Sequence, residues 1–157
     1  MKRMSFIVLI LCTWLSTVSA AEFTHPDGMK VEYPNSWTQR DTRTRTMFVS
    51  PEGDVTVLLF QKEVSDLDVA SRMFDEELTR TIRDSEITDG PTDTDFNGIE
   101  GLIAEGVGSI AGRDVQWVGT LTVYYDKAYM LVGFTEQEAF EYYEVKIREV
   151  VNSMEVF

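Results

Sequence analysis

From position 29 onward, apolar and polar residues fall into two distinct rhythms. Met29-Lys30-Val31-Glu32-Tyr33 alternates with period two, the signature of a half-buried strand, and Pro34 ends it. Thr46-Met47-Phe48-Val49 predicts a second short strand, closed by the turn signal Ser50-Pro51-Glu52-Gly53-Asp54. Asp54 to Lys62 predicts a third. Val55, Val57 and Leu59 share one of its faces and Leu58 and Phe60 the other, so both faces carry apolar load. The rhythm then changes. Ala70, Met73, Phe74, Leu78 and Ile82 recur at helical spacing, predicting a helix that ends near Arg83. Ser65 and Asp68 resemble a capping box at its start, and Glu76 and Arg80 form a supporting pair one turn apart.

Asp84 to Gly98 is the most polar stretch, with Asp84, Glu86, Asp89, Asp93 and Asp95 around Gly90-Pro91. Three strands follow it. Ile99 to Val107 alternates, Ala111-Gly112-Arg113-Asp114 turns, and Val115-Trp117-Gly119-Leu121-Val123-Tyr125 forms a second period-two face. Asp126-Lys127-Ala128 turns back into Tyr129 to Phe134, completing an antiparallel meander. A closing helix is predicted from a Thr135–Glu138 capping box, with Phe140, Tyr143, Ile147, Val150, Val151 and Met154 as its buried stripe. Glycines 101, 106, 108, 119 and 133 inside strand patterns would let the sheet bend or a helix lie close on it. The expected fold class is α+β: an antiparallel twisted sheet covered by two amphipathic helices, in a ββββ-α-ββββ-α-like order.

The 157 residues suit one domain. Acids outnumber bases 27 to 14, for a formal net charge of −13. That argues against a nucleic-acid partner, which requires clustered Lys and Arg, and against an anionic membrane surface. One cysteine excludes a disulfide scaffold and a zinc site of Cys and His ligands.

The first twenty residues read as an address. Lys2 and Arg3 precede an apolar run from Phe6 to Leu15, and Val18-Ser19-Ala20 fits a signal-peptidase site. The run is short for a membrane span. Cys12 lies inside it, after Leu11 rather than a small residue, so it is not a lipidation site. Residues 1–20 are therefore read as a signal peptide and residues 21–157 as a single domain. Cleavage removes two basic residues and no acid, which makes the net charge −15, and it removes the cysteine. Asn35, Asn97 and Asn152 all lack the hydroxyl of a glycosylation sequon. The expected location is periplasmic or secreted, and the charge favours a soluble monomer.

The mature chain resembles the PsbP-like fold superfamily, whose bacterial members include PsbP-related and DcrB-like secreted proteins. Phe23 and Gly28 precede a strand ending Tyr33-Pro34-Asn35-Ser36-Trp37, similar to the family's opening strand and P-x-x-W turn. Ser50-Pro51 before a hydrophobic strand, the Asn97-Gly98 turn with its meander, and a final helix ending near Ser153 follow in the family's order. The resemblance implies a non-catalytic accessory or adaptor protein bound to a protein partner. It carries over no functional residue by position, because binding surfaces differ between branches.

Candidate chemistry is sparse. His25 is the only histidine and reads as a turn residue in Thr24-His25-Pro26-Asp27-Gly28. Gly106-Val107-Gly108-Ser109 is no nucleophile elbow, and Gly106, Gly108 and Gly112 lack the following helix that a phosphate loop needs. Asp93-Thr94-Asp95-Phe96-Asn97-Gly98 matches the start of a calcium loop, but position twelve is Ala104 instead of a bidentate Glu. The competing reading is an Asx-rich turn feeding a strand. Trp37, Trp117, Tyr124, Tyr125, Tyr129, Tyr142 and Tyr143 either pack or line a groove. Tyr124 and Tyr142 lie off the main apolar faces and are the candidates for an exposed contact patch. No catalytic, cofactor-binding or metal-ligating residue is assigned. The alternatives to the accessory role are a ligand- or divalent-cation-binding module and, more remotely, an enzyme using carboxylates alone.

Overall fold

The structure, a computed structural model, describes residues 19–157. Most of the predicted signal peptide, residues 1–18, lies outside the described residues. Five strands come first: β1 (Ala20–His25), β2 (Met29–Pro34), β3 (Thr38–Asp41), β4 (Thr46–Val49) and β5 (Thr56–Glu63). Helix α1 (Leu67–Thr81) leads into the meander β6 (Arg83–Phe96), β7 (Ile99–Ile110), β8 (Arg113–Tyr124) and β9 (Lys127–Glu136). One 3-10 turn (Gln137–Ala139), helix α2 (Phe140–Asn152) and a two-residue strand β10 (Glu155–Val156) complete the chain. The class is α+β. The order carries one more strand before α1 than expected, and one more after α2.

Seven strands form one antiparallel sheet in the order β3-β4-β5-β9-β8-β7-β6. The other three form a small sheet with β2 between β1 and β10. The two faces of the large sheet bury separate cores. Val57, Leu59, Val118 and Leu131 pack with Phe140, Ile147, Val150 and Val151 of α2 and with Met29 and Val31 of the small sheet. Leu58, Phe60, Trp117, Met130 and Val132 pack on the opposite face with Ala70, Phe74, Leu78 and Ile82. The apolar load on both faces of β5 is thereby satisfied.

Two glycines set the helix-to-sheet distance. A Cβ on Gly119 would lie 2.6 Å from the Phe74 ring, and one on Gly133 would lie 2.6 Å from Cγ2 of Ile147. Among buried hydroxyls, Thr122 donates to the Glu100 carbonyl at 2.8 Å and Thr120 to the Val151 carbonyl at 3.2 Å. Arg148 of α2 reaches across to Glu105 of β7 at 2.6 Å and also holds Glu144 at 2.8 Å.

The helix starts differ from expectation. Asp66, not Ser65, caps α1, its carboxylate accepting the Val69 N–H at 2.8 Å. The Thr135–Glu138 box does not form. Thr135 belongs to β9, paired with Gln116, and its buried hydroxyl has no hydrogen-bond partner. The strand ladder runs two residues further than its apolar pattern and takes Thr135 out of reach of the helix. α2 then starts at Phe140 through the 3-10 turn, without a side-chain cap.

Tyr143 ties α2 to the turn before β5, its hydroxyl donating to Asp54 at 2.7 Å. That hydrogen bond to a carboxylate pushes the phenol pKa up to about 12 from its ordinary value of 10.0. A proton held more tightly in the native state stabilises it below the ordinary value. The contribution is lost as pH rises through about 12. Tyr124 and Tyr129 are also raised, so an ultraviolet absorbance titration of the native protein should show a smaller late-ionising tyrosine amplitude in Tyr143→Phe than in the unaltered chain. An unchanged late amplitude in that variant would break the assignment.

Candidate functional site

Three surface features compete as the functional site. The first is an open polar cleft of about 480 Å³ between the β1–β2 turn and the β3–β4 loop. His25 ends β1 there and its Nδ1 accepts the Asp27 N–H at 3.2 Å. Asp27 in turn accepts from Lys127 at 2.7 Å and from Gln61 at 2.8 Å. The Lys127 hydrogen bond holds the Asp27 carboxyl below its ordinary value, and Asp27 raises Lys127. Arg43 and Arg45 line the opposite wall and form no ion pair among the described residues. His25 thus lies at a strand end beside the turn that the sequence pattern placed it in, locked to that turn's backbone.

The second feature is the acidic segment. The sequence pattern assigns no element to it, yet it forms the long edge strand β6, paired with β7 through three register shifts between Arg83 and Thr92. Asp93-Thr94-Asp95-Phe96-Asn97-Gly98 is the end of this strand and a tight hairpin. Asn97 and Gly98 have φ of 55° and 86°, as a two-residue primed turn requires, and the Asp95 carboxylate accepts the Gly98 N–H at 2.8 Å. Asp93 and Asp95 therefore lie along an extended strand instead of wrapping around a centre. No group of three His, Cys, Asp or Glu placed to hold a metal ion occurs among the described residues. Added calcium is expected to leave the melting temperature unchanged, since only a ligand of the native state raises it. A calcium-dependent rise in a thermal scan would restore the cation reading.

Gly106, Gly108 and Gly112 serve packing and a turn, not a phosphate loop. Gly106 leaves room for the Trp117 ring, Gly108 for Ile82, and Gly112 takes φ of 80° in the β7–β8 turn. Trp37, Trp117 and Tyr129 are buried. Tyr142 is 82% exposed, as its position predicts, but Tyr124 is half-buried against the α2-side core. The exposed neighbour is Tyr125, which takes a positive φ in the β8–β9 turn. Tyr125 and Tyr142 lie in different elements, at the end of the β8–β9 hairpin and on α2.

The third feature escaped the sequence pattern. An apolar slot of about 140 Å³ opens between α1 and the β6–β7 edge, walled by Phe74, Ile87, Leu102, Ala104 and Leu121. Asp75 stands at its rim, its carboxyl pKa raised by burial. One signal for it was legible: Ile87 is one of two large apolar residues in the acidic stretch, and unlike Phe96, which is buried, it is 40% exposed.

No family model matches the chain, and no curated protein does. Solved structures do. The solution structure of cyanobacterial PsbP (CyanoP) from Synechocystis sp. PCC 6803 superposes with a TM-score of 0.71 at 16% identity, covering 93% of this chain and 97% of that one. LpqN of Mycobacterium tuberculosis, described as involved in cell envelope biogenesis, gives 0.61 at 11% identity over 88% of this chain and 90% of its own. A Bacteroides thetaiotaomicron VPI-5482 protein gives 0.60 at 14%, over 87% of this chain, which spans about half (48%) of that protein. The P-x-x-W turn is formed, with the Trp37 N–H on the Pro34 carbonyl at 2.9 Å and the indole buried. The chain has the PsbP-like fold.

Proposed function

We propose that this chain, a PsbP-like domain, is a non-catalytic accessory protein exported to the cell envelope, where it binds a protein partner. The observation that carries the reading is the match of the whole domain to the PsbP-like structures, one of them described as involved in cell envelope biogenesis. The leader pattern of residues 1–20 supports export. No helix among the described residues is long and apolar enough to cross a membrane. A strongly acidic surface favours a basic partner and an association that weakens with salt.

The test is cross-linking of whole cells carrying the C-terminally tagged chain, followed by identification of what co-purifies from the envelope fraction. One abundant, specific and salt-sensitive partner is the expected result. Recovery of the chain alone, under conditions that capture a known envelope complex, would overturn the reading. So would turnover of a small substrate by the pure protein.

A further inference from the structure

The large sheet ends at β6, and no strand lies beside its outer edge among the described residues. An open edge presents unpaired backbone donors and acceptors to any extended segment that reaches it. This edge is acidic, with Glu86, Asp89, Asp93 and Asp95 exposed along it. Charges of this kind keep like copies apart and admit only a strand of opposite sign. Beside the edge lies the apolar slot. Its volume, about 140 Å³, is close to that of an engineered cavity of roughly 150 Å³ that accepts benzene. It therefore fits one side chain the size of Phe or Leu.

We propose that the β6 edge and the slot beside it form a docking site for an extended, lysine- or arginine-rich segment of the partner protein, which seats one large apolar side chain against Phe74, Ile87 and Leu102. The proposal rests on the accessory reading and gives it a location. Backbone pairing along the regular end of β6, Thr92 to Phe96, beyond the register shifts and Pro91, supplies alignment, the acids select a basic segment, and the slot selects the anchor. A second copy of this chain fits less well. Its basic hairpin, β3–β4, carries Arg40, Arg43 and Arg45, but β3 is Thr38-Gln39-Arg40-Asp41 and offers no apolar anchor.

The probe is a synthetic peptide alternating lysine and valine around a central phenylalanine, titrated into the isotopically labelled mature chain at low salt. Resonances of Asp93 to Phe96 and the methyls of Ile87 and Leu102 should shift. Replacing the central phenylalanine by alanine should weaken binding by about tenfold or more, the worth of burying one such ring. Ser71→Phe, from the half-buried α1 wall of the slot, should abolish the difference between the two peptides. If that variant does not fold, Asp89→Lys with Asp93→Lys should weaken both peptides and flatten the salt dependence. Equal binding of the two peptides, shifts confined to another face, or no shift at about 1 mM would overturn the site.

Cross-linking in cells separates this proposal from the reading beneath it. A partner held by the unaltered chain and lost by Ser71→Phe supports the site. A partner held by both overturns the site alone, and a partner held by neither overturns the accessory reading as well.

Discussion

Replacing Trp117 with alanine is expected to lower the free energy of unfolding by about 3–5 kcal/mol, a large share of the roughly 5–15 kcal/mol that holds such a domain together. The indole is fully buried. It crosses from β8 over Gly106 of the adjacent β7 strand, and its Nε1–H donates to the Val107 carbonyl at 3.3 Å. Alanine removes the largest fully buried side chain of the α1-side core. The glycine beneath it has no side chain with which to fill the space. Urea denaturation followed by far-ultraviolet circular dichroism should show a lower midpoint with an unchanged slope, the mark of lost stability in an intact fold. A loss below about 1 kcal/mol would mean that the core collapses into the gap more freely than this packing allows.

The second large effect comes from adding one carbon. Gly133→Ala is expected to cost about 1–3 kcal/mol by overpacking. The new Cβ would lie 2.6 Å from Cγ2 of Ile147, 3.2 Å from Cγ2 of Val57 and 3.4 Å from Cγ1 of Val151. The last two are tight or ordinary contacts, whereas the first requires movement. Cγ2 of isoleucine branches directly from Cβ and moves aside only by a change of χ1, which a helix strongly disfavours for a β-branched residue, or by a shift of α2. Ile147→Leu moves the branch one carbon outward and removes that atom. The double variant should therefore recover part of the loss, giving a coupling energy of about 0.5 kcal/mol or more in a double-mutant cycle. Strict additivity would show that the helix shifts as a body and that Ile147 is not the obstacle.

The elements with one clear period were legible from the chain alone. Thr46–Val49 forms the strand its pattern predicts, and β5, β7, β8, β9 and α1 lie within a few residues of their predicted spans. The failures share a cause, because each depends on a neighbour that local pattern cannot see. β6 carries polar residues on both sides, since neither helix reaches most of its length, and it is a strand because β7 pairs with it. Thr135 and Glu138 carry the letters of a capping box, but the pairing of Thr135 with Gln116 decides the matter. β10 is two residues long and exists because β2 offers it an edge. The candidate site was less legible still. Its acids were visible as an unusual stretch, but the slot takes its walls from α1, β6, β7 and β8, far apart in sequence. Ile87, in the middle of this stretch, hinted that it faces something apolar.

The small sheet binds the beginning of the domain to its end. β2 sits between β1 and β10, the Ser153 hydroxyl bridges to the backbone of Glu32 121 residues away, and the Phe157 N–H closes on the Gly28 carbonyl at 2.9 Å. As the chain is synthesised, β1 and β2 emerge before β10, so one edge of β2 lacks its partner until the final residues arrive. Contacts of such long range slow folding. The clasp can therefore close only once the last residues of the domain are available to pair with β2.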